Sequence, residues 1–340
     1  MLRIVGTLCS VGCTKTPRLS PTFIMPIQHC PDEVLDMVFQ LIPFDSPDKA
    51  PATLLSTILT CSRFCAIAKR HLIRVVSLQT AERVELFAAY LVQLTDTGAY
   101  GKALLPIEHM AAFGKYRFRQ DLFWQDTLEP TTVTGCTLPL IISIAAPSLR
   151  SLTIFGFGPH HNRTNVDGRF VKNTVKSSVC FPRLQKLILL EQHIIRLDRE
   201  EEPNDCSPQR CYPRLTSLYT HMGHVNDDVL ALSTLRELRL ELLTLPGFPK
   251  LPSPPILHAE TIILDAPPYQ ESVMYRGSWF NQTWSMYNEG IESYHAFVEA
   301  NSTSSESSVV MTPDVCVSPV TVLDAWRDIV AGGSGCWKKG

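Results

Sequence analysis

The chain has 340 residues, of which 45% are hydrophobic and 19% charged, and a formal net charge of −2. That length allows about two domains, that apolar content excludes a wholly unfolded chain, and that near-neutral balance excludes the strongly basic footprint of a nucleic-acid binder. The 11 cysteines, odd in number and scattered, are unlike a short disulfide scaffold and read as reduced thiols of a cytoplasmic or nuclear protein.

The opening stretch "MLRIVGTLCSVGC" (1–13) imitates a secretory leader. Its apolar run is short and interrupted, and no Ala-x-Ala site follows, so a disordered extension is expected over 1–24, with Met1 or Met25 as the start. A secreted form would instead be cleaved near Ser20 and glycosylated at Asn281, which with Asn162 and Asn301 lies in an N-x-[ST] triplet. No apolar run of about 18 residues occurs, so no membrane-spanning helix is expected.

The first element is "CPDEVLDMVFQLI" (30–42). Pro31 suits the first position of a helix, and Asp32 and Glu33 favour its positive pole. Val34, Val38 and Ile42 share one face, with Leu35 and Phe39 beside them. Pro43 is expected to end the helix, and "PFDSPDKAP" (43–51) to form a loop. A second helix is expected from Pro51. Leu54, Ile58, Cys61, Cys65, Ala68 and Leu72 recur at helical spacing, and Lys69, Arg70 and His71 stand where cations are favoured. "IRVVSL" (73–78) reads as a short strand.

Residues 29–78 resemble an F-box, whose pattern is Leu-Pro-x-Glu, a helix, a loop, and a second helix with a Cys- and Trp-containing core. "CPDEVLDMVFQLI" matches the first part, with Cys30 in place of the leucine. "ILTCSRFCAIAKRHLIRVVSL" (58–78) matches the second, with Phe64 or Cys65 near the tryptophan position. The form is similar to the F-box-like proteins abundant in mushroom-forming fungi. The resemblance implies a helical domain over 25–78. It also implies that this domain binds the small linker protein of a cullin-based ubiquitin ligase, through Pro31, Leu35, Val38 and Phe39 in the first helix and Leu59, Ser62, Arg63 and Phe64 in the second. In so small a domain the same apolar side chains also hold the helices together.

"AERVELFAAYLVQL" (81–94) predicts a helix with Val84, Phe87, Leu91 and Leu94 inside, placed to cap the open end of the region that follows. "KYRFRQDLFW" (115–124) mixes bases and aromatics, but one short patch is too small for a nucleic-acid interface. A weak repeat comes next: "APSLRSLTIFG" (146–156), "FPRLQKLILLE" (181–191), "YPRLTSLYTHM" (212–222) and "LSTLRELRLEL" (232–242), with a decayed fifth copy, "ILHAETIILDA" (256–266). Each predicts a strand entered from a turn, with leucines alternating inward and Arg150, Lys186 and Arg236 turned to solvent. "LPLIISIA" (138–145) and "NDDVLALS" (226–233) are candidate helices before two copies. Helix plus strand is the unit of a leucine-rich solenoid, in which each unit buries its apolar face on its neighbours. The irregular spacing and the missing asparagine make it a degenerate array, expected over 79–266.

"LDREEEPNDCSPQRC" (197–211) is expected to be a solvated loop. Residues 267–320 are expected to be irregular and to include a mobile Ser/Thr-rich linker, "ANSTSSESSVVMTPD" (300–314). In the segment 321–340, "TVLDAWRDIV" (321–330) predicts a helix with Val322, Trp326, Ile329 and Val330 on one side, covering the last repeat or binding a partner.

The motifs of chemistry are missing. No C-x2-C pair occurs, and His160–His161 and His221–His224 have no second pair at zinc-finger spacing. "HAE" (258–260) has no following P-C-x-x-C. Neither a phosphate-binding glycine loop nor a G-x-S-x-G elbow is present. Cys61 and Cys65 lie on an apolar stripe, as core thiols do. The expectation is therefore an α/β protein, a small N-terminal helical F-box followed by an irregular leucine-rich-repeat-like solenoid, with no catalytic, metal or cofactor site. It would recruit an unknown target protein through the solenoid and tether it to a ubiquitin ligase, binding neither nucleic acid nor membrane. The alternative is a free-standing scaffold whose F-box has decayed.

Overall fold

A computed structural model describes residues 30–45, 50–68, 71–96, 106–114, 134–157, 179–192, 195, 207–221, 227–241, 259–265, 292, 295, 299, 308–312 and 317–337. The extension 1–24, the basic-aromatic stretch 115–124, the N-x-[ST] triplets and most of the acidic loop fall outside these residues. No helix among them is long and apolar enough to cross a membrane.

The protein is α/β. Among the described residues three helices come first, α1 (Asp32–Asp45), α2 (Ala50–Ile58) and α3 (Ser62–Ala68), followed by β1 (Val75–Leu78), α4 (Ala81–Asp96), β2 (His109–Phe113), α5 (Thr134–Ala145), β3 (Ser151–Phe157) and β4 (Lys186–Gln192). The chain continues through α6 (Pro208–Cys211), β5 (Ser217–His221), α7 (Asp227–Leu230), β6 (Glu237–Glu241), β7 (Thr261–Asp265), β8 (Ser308–Thr312) and α8 (Pro319–Val330), to a short 3-10 turn at Gly335–Trp337. The eight strands among the described residues form one parallel sheet whose spatial order is the chain order, β1 to β8.

The cause of that order is local. Each of the five repeat copies contributes one strand, β3 to β7. The first leucines of the four better copies, Leu149, Leu184, Leu215 and Leu235, are fully buried. The turns before three of the strands close alike: Leu184 N–H donates to Phe181 O, Leu215 to Tyr212 O and Leu235 to Leu232 O. The residue before each strand then bonds its counterpart in the preceding one, from Arg74 through Glu108, Arg150, Gln185, Thr216 and Arg236 to Glu260. A parallel ladder needs a crossover between strands, and each copy supplies one strand of the ladder.

The register stacks equivalent positions into rows. Met110, Leu152, Leu187, Leu218, Leu238, Ile262 and Val309 form one row in the main core, which also holds Val84, Ala88 and Leu91 of α4 and Leu138, Ile141 and Ile142 of α5. Burying such side chains is the dominant stabilising term. Leu187→Ala, at the middle of that row, is expected to cost about 3 kcal/mol by leaving a cavity; urea unfolding of the two chains measures it.

Several expectations change. Pro43 does not end α1, which runs to Asp45. The stripe from Leu54 to Leu72 is not one helix but two, broken at residues 59–61. The Ser56, Thr57 and Thr60 hydroxyls bond main-chain carbonyls three or four residues back, the competition by which such residues unsettle helices. The segment 300–314 is not wholly a linker, since Ser308–Thr312 is the last strand, with Val309 in the core row. Lys186 is not turned to solvent; it is covered by Trp337. α4 lies in the helical layer beside α5 and β1. Finally, α8 does not cover the last repeat. It crosses the other face of the sheet, packing on β2 and β3.

Candidate functional site

The first candidate is the helical unit α1–α3. Its own small core holds Leu35, Phe39, Leu54, Ile67 and Ala68, with Cys30, Ile58, Phe64 and Leu72 packed against it. Leu35 and Phe39 are one helical turn apart and so share the inner face of α1. Phe39 meets Phe64 edge to face, ring centroids 5.5 Å apart, an arrangement aromatic pairs favour. Arg63 fastens α3 to the start of α1, donating through Nε to Asp32 Oδ1 at 2.6 Å and through Nη2 to Cys30 O at 2.5 Å. His71 Nε2 lies 2.9 Å from Asp36 Oδ1 and joins α1 to the segment entering β1.

The expected docking residues therefore divide. Pro31, Val38, Leu59 and Ser62 are exposed. Leu35 and Phe39 are buried, and Phe64 is half-buried against them. Their apolar surface is used inside the unit, and Arg63 is engaged as its clasp. Three outward residues were missing from the sequence-based set. Met37 is 64% exposed, Val34 stands on the same outer side, and Leu55 sits one turn before Leu59, which is 77% exposed. Val34 and Met37 were legible in principle, because positions 34, 37 and 38 share a side of α1 next to the inner one that carries 35 and 39.

The second candidate is the sheet face under α8. At β2 to β4 it is apolar: Ala111, Phe113, Phe155, Ile188 and Leu190 meet Val322, Trp326, Ile329 and Val330 of α8. Toward β7 it turns polar. Asp265, fully buried, accepts from Tyr219 Oη at 2.8 Å and from Arg239 Nε and Nη2 at 2.5 and 2.9 Å. The guanidinium stacks on the Tyr219 ring, 4.9 Å from its centroid, and Nη1 donates to Cys336 O. His221 Nδ1 lies 3.2 Å from Glu241 Oε2. Burial first, and then the neighbouring Asp265 and Glu241 carboxylates, push the Tyr219 hydroxyl far up, so it remains a neutral donor. Burial also pushes the Cys336 thiol up to about 12, which suppresses thiolate chemistry. These contacts knit three strands to the C-terminal turn. Among the described residues, no group of three or more His, Cys, Asp or Glu could hold a metal ion.

His109 adds a pH dependence. Its Nδ1 lies 2.8 Å from Ser151 Oγ. Burial lowers its pKa to about 4, against the pull of Glu108 and with help from Arg150, Arg74 and Lys186. The fold thus favours neutral His109, so its contribution is complete above the ordinary value of 6.5 and lost as pH falls towards 4. Stability should drop by up to about 3 kcal/mol across that window, and His109→Gln should flatten the decline. Urea midpoints between pH 7 and 4 check this.

No family model matches the chain, and comparison with curated proteins and with solved structures also finds no match.

Proposed function

We propose that the protein is a substrate-recruiting adaptor of a cullin-based ubiquitin ligase. The helical unit α1–α3 binds the small linker protein, and the sheet-bearing region, read as an irregular leucine-rich-repeat solenoid, holds a target. The observation that carries the reading is the pair of outward apolar groups on the helical unit. Val34, Met37 and Val38 on α1, with Leu55 and Leu59 around the end of α2, are exposed although the unit has a core without them. Val34, Met37 and Val38 lie within about one turn of α1, and contiguous exposed apolar surface marks protein contacts. The strand order supports the solenoid, since stacked repeats place each strand beside the one before it. The mechanism is proximity. Tethering raises the effective concentration of ubiquitin donor near the target, and this chain breaks no bond itself. The scattered cysteines of the sequence, odd in number, agree with a reducing compartment, cytoplasm or nucleus.

Co-purification of the linker protein with the full chain tests the reading. Retention supports the adaptor. Its loss with the fold intact favours a free-standing scaffold, the reading that Cys30 at the family's leucine position suggests.

A further inference from the structure

Two adjacent repeat copies are each preceded by a cysteine. "CFPRL" (180–184) and "CYPRL" (211–215) place it four positions before the first leucine of the copy. The flanking copies have alanine at that place, Ala145 and Ala231. We propose that Cys180 and Cys211 form a redox-active dithiol site, which hydrogen peroxide converts to a disulfide and a small thiol restores. The inference is independent of the adaptor reading.

Three observations carry it. The match in sequence is also a match in space. Stacked repeats bring equivalent positions side by side, and β4 and β5 are paired with Lys186 opposite Ser217. The same offset carries Cys180 to Cys211 and Phe181 to Tyr212. Burial repeats with it: Phe181 and Tyr212 are buried, Arg183 and Arg214 are exposed, and Leu184 and Leu215 are buried.

The main chains meet at the two cysteines themselves. Phe181 N–H donates to Cys211 O at 2.7 Å, so the peptide group that follows Cys180 bonds the carbonyl of Cys211. The Phe181 and Tyr212 rings stack, centroids 5.5 Å and planes 8° apart. Strands so paired lie about 4.8 Å apart, inside the Cα separation of about 4.4–6.8 Å that a disulfide spans.

Third, both side chains turn to one side. Cys211 belongs to the main core and Cys180 packs against it. Burial first, and then the Cys211 and Cys180 sulfurs, push the Tyr212 hydroxyl up, so both sulfurs act on one phenol. Their exposure differs: Cys211 is buried and Cys180 half-buried. That difference assigns the order of events. Cys180 Sγ, losing its proton, attacks one peroxide oxygen. The O–O bond breaks, a sulfenic acid forms on Cys180, and water leaves with the proton. Cys211 Sγ then displaces the sulfenic oxygen, the S–S bond forms, and a second water leaves with the Cys211 proton. The two sulfurs give up two electrons and the peroxide takes them. Two glutathione thiols reverse the change by exchange and leave as glutathione disulfide. The bridge ties the turn entering β4 to the turn entering β5 and restrains the unfolded chain.

The test uses the full chain, a small excess of hydrogen peroxide, and tryptic mapping without reductant. Trypsin places Cys180, Cys206 and Cys211 on separate peptides, 177–183, 200–210 and 211–214. The expected product joins 177–183 to 211–214, about ten-fold or more above any link to Cys206, which lies outside the described residues. Glutathione should reverse it. The oxidised chain should unfold at a higher urea midpoint than the reduced one, and Cys180→Ala should lose that shift. Alanine is what the flanking copies hold in this row, so the alanine variants are expected to fold, and circular dichroism checks this. In Cys211→Ala, Cys180 should stop at the sulfenic acid and be trapped by dimedone, about ten-fold more than Cys211 in Cys180→Ala. Any of four results in the folded wild type would overturn the proposal: both thiols intact after peroxide, separate sulfinic acids on Cys180 and Cys211, a dominant bridge to Cys206, or a bridge between copies. A Cys180–Cys211 link that forms only in urea would do the same.

Discussion

Met37→Asp should weaken binding of the ligase linker protein about 100-fold or more, and Leu59→Asp comparably, with no more than a small change in unfolding midpoint. Both side chains project into solvent, so a carboxylate there costs the free protein little. At a desolvated interface it replaces apolar contact with an unpaired charge, and truncations at interface centres alone cost about 2 kcal/mol or more. Leu35→Asp behaves differently. Leu35 is in the small core with Phe39 and Leu54, so a charge there unfolds α1–α3, and linker binding is lost only as a consequence. Comparing linker affinity with thermal unfolding for the three variants separates surface from support. Equal affinities for wild type and Met37→Asp would exclude the outer side of α1 from the interface.

Asp265→Ala is expected to destabilise the sheet by about 3–5 kcal/mol, because it leaves the largely buried Arg239 guanidinium without its carboxylate. The side chain of Arg239 is 16% exposed and that of Asp265 is 0% exposed, so water replaces little of what is lost. Tyr219 Oη loses its acceptor in the same step. Replacing Arg239 and Asp265 together by apolar residues of similar volume should recover most of the loss, since the cost of a broken buried pair lies in the orphaned charge. A double-mutant cycle by urea unfolding measures the coupling. Additive effects of the two single changes would show that Arg239 and Asp265 act independently.

The two regions were legible in the sequence to different degrees. The strands β3–β7 were readable because leucines recur at matching places after a turn, and the physics that writes that pattern, a period of two and a buried row, is local. β2 was missed because "HMAAF" carries small residues and no leucine; its burial comes from neighbours distant in sequence. β8 was hidden by the serines before it. The break between α2 and α3 was invisible to periodicity, because the stripe keeps its phase across the turn. α8 shows a different limit. Its apolar side was correctly identified, with Val322, Trp326, Ile329 and Val330 buried, but amphipathicity tells which side is covered and not by what. The cluster of Tyr219, Arg239 and Asp265 could not be read at all, since its members come from three strands brought together only by register.

The central claim is that α1–α3 present a surface for a ubiquitin-ligase component. Hydrogen exchange of the full chain, with and without saturating purified linker protein, tests it most directly. The account predicts a saturable complex in which new protection falls on amides of residues 31–65 and leaves β4–β7 unchanged. No saturation at micromolar linker, or protection confined to the sheet, would contradict it.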